Sequence, residues 1–167
     1  MTTNDLRTAG WTAAPHPVSA PESLTLLRRY YAELISRFYG RPADDDEVSA
    51  LLKEAPSDDL VRPTGEFLLA RLAGASVGCL GVRVLDPATV ELTRMYVGPE
   101  ARGRGGGLLV ATAERTARDV FGARVIRLDT RADLIEARAL YGKHGYTEIE
   151  RYNDSIYANH WFEKKLG

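Results

Sequence analysis

Between Met95 and Ala117 the chain reads MYVGPEARGRGGGLLVATAERTA, with Arg102 and Arg104 threaded through Gly103, Gly105, Gly106 and Gly107. An alanine-rich amphipathic segment follows at once. Each glycine inside a helix costs roughly 1 kcal/mol against alanine, so four of them at a helix start need a compensating use. Anion binding supplies one. A glycine turn between a strand and a helix leaves backbone N–H groups unpaired, and the helix adds a partial positive charge at that end. Without a Cβ, an anion can approach the backbone closely, and arginine side chains suit phosphate. The competing reading is a plain flexible loop with solvated arginines.

Two familiar phosphate-binding patterns fail here. A P-loop needs a lysine followed by Ser or Thr after its glycines, and none is present. The dinucleotide pattern G-x-G-x-x-G reaches Leu108 when started at Gly103 and Val110 when started at Gly105. The pattern that fits is Arg-x-x-Gly-x-Gly, read on Arg102, Gly105 and Gly107. With it, the chain resembles the GNAT superfamily of N-acetyltransferases, whose Gln/Arg-x-x-Gly-x-Gly/Ala motif joins the fourth strand to the next helix. Further along, EARALYGKHGYTEI resembles the family's A-x-x-L-Y-x-x-x-G-F/Y signature through Ala137, Leu140, Tyr141, Gly145 and Tyr146. The resemblance spans roughly residues 22 to 166.

The resemblance implies that acetyl-CoA is the co-substrate. Arg102, Gly103, Arg104, Gly105, Gly106, Gly107 and Leu108 would wrap its pyrophosphate. Met95, Tyr96 and Val97, at the end of the preceding strand, would lie along its thioester arm and offer a backbone N–H to the oxyanion. One departure stands out: many relatives carry an asparagine seven residues before the tyrosine, where this chain has Leu134. That contact is expected to be absent or supplied by Arg131 or Asp133.

Acetyl transfer to an amine requires deprotonation, because a lysine-like amine has a pKa near ~10.4. It also requires preorganised donors for the oxyanion and a proton for the departing thiolate. By resemblance, Glu91 is the candidate base, eleven residues before Arg102, and Tyr141 is the candidate acid. Each has a structural alternative, a surface glutamate paired with an arginine and a core tyrosine respectively. Alternation along the strand puts Glu91, Thr93 and Met95 on one face. The acceptor pocket is expected at two loops, YGRPADDDE and RYNDSIYANHW. Asp44 to Asp46 read better as a helix cap, while Tyr152, Asp154 and Tyr157 stay open as acceptor contacts.

Around these residues the elements read as two helices, three strands, then strand–helix–strand–helix–strand–strand. Leu24, Leu27, Tyr31, Leu34, Ile35 and Phe38 keep the spacing of an amphipathic helix, stopped by Gly40-Arg41-Pro42. A shorter helix follows, capped by one of Asp44 to Asp46. Turns at Ala73-Gly74-Ala75 and Asp86-Pro87-Ala88 divide an antiparallel meander. After the glycines, Leu109, Val110, Ala113, Ala117, Val120 and Phe121 form one helical face. This is an α+β (α/β-like) pattern with a mixed sheet. The resemblance specifies a GNAT fold with a mostly antiparallel twisted sheet of six or seven strands and about four helices. Residues 1–20 are expected to be an arm, partly disordered or an edge strand, and 21–167 one domain.

The chain has 167 residues, with 22 Lys and Arg against 23 Asp and Glu. That balance gives no overall field for nucleic acid or an anionic membrane. Cys79 is the only cysteine, which excludes an intramolecular disulfide and, from its apolar surroundings, reads as a buried inert thiol. His16, His144 and His160 show no metal-ligand spacing, so no metal is expected. No stretch reads as a signal peptide or membrane span, and a cytoplasmic monomer or homodimer is the expectation. The leading reading is an acetyl-CoA-dependent N-acetyltransferase acting directly on a primary amine, with a small-molecule acceptor favoured. Acetylation of a peptide N-terminus or lysine, or a non-catalytic acyl-CoA-binding module, are the alternatives.

Overall fold

Gly74 and Asp86-Pro87 cut the middle of the chain into three strands, as their turn chemistry dictates. These are β2 (Gly65–Leu72), β3 (Ala75–Asp86) and β4 (Thr89–Val97). They form the centre of a seven-stranded sheet in the computed structural model, which describes residues 10–103, 105–131 and 135–167. β1 (Trp11–Pro15) pairs with β2 at one edge. Past β4 lie β5 (Val125–Thr130), β7 (His160–Lys165) and then β6 (Thr147–Ile149) at the far edge. β4 and β5 run parallel, and the remaining neighbours are antiparallel.

Four helices flank the sheet: α1 (Pro21–Tyr39), α2 (Asp45–Glu54), α3 (Gly106–Asp119) and α4 (Ile135–Lys143). Asp44 caps α2 with a full capping box to Glu47, so the acidic run serves helix termination as expected. The apolar face of α3 is buried at Leu109, Val110, Ala113 and Ala117, whereas Val120 lies past the helix end and is exposed. In α1 the buried stripe is shifted from the expected one. Leu24 and Phe38 are 48% and 44% exposed, while Leu26 is buried beside Leu27, Tyr31 and Ile35. Ser23, whose hydroxyl donates to the Pro17 carbonyl, is buried at the start of that stripe.

Strand alternation assigns the two faces. Leu68, Leu80, Val82, Val90, Leu92, Ile126 and Leu128 pack with α3 and Tyr141. Phe67, Leu69 and Cys79 pack with Leu26 and Leu27 of α1. The alternation breaks inside β4. Thr93 pairs with Gly81, but Tyr96 pairs with Cys79, so Arg94 and Met95 together oppose Leu80. This β-bulge moves Met95 and Val97 to the α3 side and Tyr96 to the α1 side. Glu91, Thr93 and Met95 therefore do not share a face, because one inserted residue reverses the period of two.

Arg94 sits at the bulge with φ 55°, a left-handed conformation that costs a non-glycine residue roughly 1–2 kcal/mol. Its buried side chain secures the arrangement: Nη2 donates to the carbonyls of Ala55 (3.1 Å) and Pro56 (3.4 Å), and Nη1 donates to Thr93 Oγ1 at 2.9 Å. The Cys79 thiol donates to the Arg94 carbonyl at 3.4 Å. Just before the bulge, β4 and β5 part. Their pairing stops at Leu92 and Leu128, while β5 continues alongside β7 as far as Thr130 and His160.

Charge-assisted hydrogen bonds are worth about 1.5–3 kcal/mol each. Arg94→Ala should therefore lower the unfolding free energy by about 2–3 kcal/mol, seen in urea as a lower midpoint at unchanged slope. An unmoved midpoint would show that the bulge holds without this side chain.

Candidate functional site

The first turn of α3 is built differently from those of its neighbours. Glu22 opens α1 and Asp45, Asp46 and Glu47 open α2, but no acidic residue opens α3 and no side chain caps it. Its leading N–H groups, around Gly105 to Leu108, are thus left for an external acceptor. The side chain of Leu108 packs against the core, so only its backbone can serve an anion.

The four glycines have separate reasons. Gly103 has φ +83° with open space around it, a conformation that favours glycine. A Cβ on Gly105 would fall 2.2 Å from a ring carbon of Trp11. The close approach of β1 by itself thus demands glycine at position 105. On Gly106 a Cβ would meet Leu140 at 2.9 Å, and on Gly107 it would sit 3.5 Å from His144 Nε2, an ordinary contact. Arg104 lies outside the described residues. Arg102 is exposed but engaged: its Nη2 meets Glu33 of α1 at 2.5 Å, and its Nε donates to the Val97 carbonyl at 3.1 Å.

Beside this turn, a cleft of about 50 Å³ is lined by Tyr30, Glu33, Leu34, Arg37, Met95 and Arg131. It lies where α1 faces the diverging ends of β4 and β5. Of the three β4 positions expected along it, Met95 lines it and Val97 shares its face, while Tyr96 turns to the opposite one. Glu33 also pairs with Arg37, and Arg37 reaches Glu136 of α4, each at 3.0 Å. Asp133 and Leu134 lie outside the described residues.

Tyr141 is buried in the α4–sheet interface, with its ring 5.8 Å from Tyr146 and 6.4 Å from Phe162. Burial pushes its hydroxyl well above the usual phenol range, with the negative charge of Asp129 adding to the effect. It therefore carries its proton across neutral pH, as an acid must. Cys79 is fully buried and its thiol is pushed up to about 12 by burial, which leaves no thiolate for covalent chemistry.

On the α1 side of the sheet, a polar cluster surrounds Glu91. This carboxylate is buried and fully engaged: Arg83 reaches Oε1 at 3.3 Å, and Oε2 accepts from the Tyr152 hydroxyl at 2.8 Å and from Asn153 Nδ2 at 3.4 Å. Arg83 also pairs with Asp59. The same Asn153 nitrogen donates to Asp129 Oδ2 at 2.7 Å. The orientation of that amide is determined, because the Trp161 indole N–H donates to Asn153 Oδ1 at 2.8 Å and can only donate. Burial pushes Asp129 above the usual carboxylate range, and the charge of Glu91 adds to this against the Asn153 hydrogen bond. Burial likewise raises Tyr152, with Glu91 the next cause.

Of the loop residues left open as acceptor contacts, Tyr152 joins the cluster. Tyr157 packs edge-on to Phe38 at 5.0 Å, and Asp154 is fully exposed, pairing with Arg151. Sequence reasoning missed Asp129, Asn153 and Arg83. Asp129 was open to detection: it shares strand parity with Val125 and Arg127, opposite the apolar Ile126 and Leu128. Among the described residues no three His, Cys, Asp or Glu side chains converge as a metal site would need, and no helix is long and apolar enough to cross a membrane.

Comparison with known proteins agrees with this architecture. Residues 27–146 match the family model described as acetyltransferase (GNAT) family. An uncharacterised N-acetyltransferase of Schizosaccharomyces pombe is 30% identical over 129 residues, which is 76% of each chain. Among solved structures, a GNAT-family acetyltransferase from Staphylococcus aureus superposes with a TM-score of 0.73 at 18% identity, over 94% of this chain and 99% of the other. A PaiA N-acetyltransferase from Thermoplasma acidophilum, solved in complex with coenzyme A, gives 0.71 at 19% identity, over 93% and 99%.

The raised pKa of Asp129 carries a stability consequence. Between the ordinary carboxylate value and its raised native value, the folded chain binds more protons than the unfolded one, so stability falls as pH rises through that window. Asp129→Asn removes the buried charge and keeps an oxygen for Asn153. This variant should melt higher than the parent at pH 7 and lose that advantage below about pH 4. Equal melting temperatures at pH 7 would show that ionised Asp129 carries no burial penalty.

Proposed function

This chain belongs to the GNAT family of N-acetyltransferases, and from that premise we propose that it transfers the acetyl group of acetyl-CoA directly to a primary amine of a small, cationic molecule. The observation that carries the acceptor class is the pair of carboxylates, buried Glu91 and half-buried Asp129, held on one amide where β4 and β5 part. A protonated amine entering there would meet these acidic side chains.

The residues present fit a coenzyme A pyrophosphate on two counts. The first turn of α3 presents uncapped N–H groups with no acid nearby, and a Cβ-free Gly107 leaves the approach clear. Arg102, released from Glu33, would join them. When bound, acetyl-CoA supplies an acetyl thioester whose sulfur departs as the thiol. The bulge turns the unpaired edge of β4 at Met95 to Val97 toward the cleft, where backbone N–H groups would stabilise the oxyanion. Tyr141, protonated by virtue of its burial, would give the sulfur its proton. The Glu91 cluster would receive the proton of the amine.

Thermal-shift titration with acetyl-CoA, CoA and NAD, followed by thiol-release assays over diamines, arylalkylamines, amino sugars and short peptides, tests this reading. Selective stabilisation by acetyl-CoA and CoA is expected, with turnover on a small amine. Turnover on peptides alone would move the acceptor to the peptide class. Gly107→Val should weaken CoA binding at least about tenfold, a loss of about 1.4 kcal/mol, without unfolding the protein. A folded Gly107→Val protein with undiminished affinity would remove the pyrophosphate from α3. Tyr141→Phe should lower kcat by about 10²-fold or more if the tyrosine is the acid, with CoA affinity retained.

A further inference from the structure

The family resemblance points to Glu91 as the proton acceptor, but the surroundings of the two carboxylates differ in a way that reverses the choice. Glu91 already serves three donors through both of its oxygens and is paired with Arg83. Two of these donors share Oε2, and the guanidinium of Arg83 stands at Oε1. Asp129 accepts one side-chain hydrogen bond, from Asn153, and has no ion-pair partner among the described residues. It is also the first residue of β5 beyond the last pair with β4, so its backbone stands at the mouth of the divergence. Arg131, two residues on, lines the cleft. The charge of Asp129 is felt by Tyr30, which lines the cleft, and by Tyr141, the candidate acid, as well as by Tyr152. Through Asn153 it is joined directly to the acceptor cluster.

We propose that Asp129 takes the proton from the acceptor ammonium, and that Glu91 is a positioning residue holding Asn153 and Tyr152 around it. This rests on the acetyltransferase reading above. The ammonium nitrogen gives one proton to an oxygen of Asp129 and its freed lone pair forms the bond to the acetyl carbon. The carbon–sulfur bond then breaks, its electron pair stays on sulfur, and the sulfur takes the Tyr141 proton. The remaining surplus proton on nitrogen passes to solvent and restores Tyr141, and Asp129 releases its own to solvent. The sum is amide, free thiol and one proton. Asn153, oriented by Trp161, steadies Asp129 in both states. The groups facing Asp129 are Glu91 on β4, Arg83 on β3, Tyr30 on α1, Tyr141 on α4, Tyr152 and Asn153 of the loop, and Trp161 on β7.

The test is steady-state kinetics from pH 6 to 9.5 on an amine that the parent chain acetylates, with acetyl-CoA affinity measured in parallel. Asp129→Asn should lower kcat by about 10²–10⁴-fold with acetyl-CoA binding intact. Its residual rate should climb about tenfold per pH unit, as the amine loses its proton unaided. Asp129→Glu, which keeps a carboxylate, should regain part of kcat and the flatter pH profile of the parent. Glu91→Gln should raise KM more than it lowers kcat and should keep the parent's pH profile. A folded Asp129→Asn enzyme with the parent's kcat and profile overturns the assignment alone, as does a Glu91→Gln enzyme that acquires the steep profile instead. A parent chain that binds acetyl-CoA yet releases no thiol with any amine overturns the functional reading, and this assignment with it.

Discussion

The site depends on one break in a hydrogen-bond ladder. β4 and β5 are parallel partners for four residues and then separate at Leu92 and Leu128, immediately before β4 inserts an extra residue at Arg94. Strands in a buried sheet stay paired unless something else satisfies their backbone groups. Here the bulge turns β4 away, and the guanidinium of Arg94 ties the turned strand to the carbonyls at the end of α2. The left-handed backbone at Arg94 costs roughly 1–2 kcal/mol, which the charge-assisted bonds it makes possible can offset. The cleft under α1 lies beside that separation, with Met95 and Arg131 in its lining, and Asp129 is the first residue of β5 beyond the last pair with β4.

The same break decides which residues meet. Reversal of side-chain parity sends Met95 to the cleft side, where its methyl lies near Gly106, and sends Tyr96 to the α1 core. Glu91, upstream of the bulge, keeps its original face and looks toward Arg83 and the loop around Tyr152 and Asn153. Glu91 and Met95 therefore lie on opposite faces of one strand, on either side of the point where β4 parts from β5. Tyr141 packs in the core on the α3 side, and the negative charge of Asp129 adds to the rise of its hydroxyl.

Much of this was legible in the sequence because it rests on local rules. Apolar spacing announced α1 and α3, Asp44 announced the cap of α2, and Gly74 and Asp86-Pro87 announced the turns of the meander. The motif on Arg102, Gly105 and Gly107 located the glycine turn. What was illegible rests on pairings between distant residues. An arginine in a left-handed bulge has no local signature, since Gly, Asn or Asp would be the expected choice, and its reason lies in the carbonyls of Ala55 and Pro56. The exposed Leu24 and buried Leu26 reflect how the chain enters α1 through Ser23 and Pro17, which periodicity alone does not report. Asn153 becomes meaningful only when Trp161 fixes which end of its amide faces the acids.

The glycines answer to packing as well as to their place in a motif. Their cost to α3 suggested one use, the close approach of an anion. The indole of Trp11 also fills the space that a Cβ at Gly105 would need, and Leu140 crowds Gly106. Two of the four glycines thus let β1 and α4 pack against the helix start, which holds the remaining N–H groups in a fixed place. A site for a large anion needs donors that are rigid as well as bare, because a donor that must be ordered on binding spends part of the interaction on its own entropy. Close packing behind Gly105 and Gly106 would supply that rigidity, and the space around Gly103 is open.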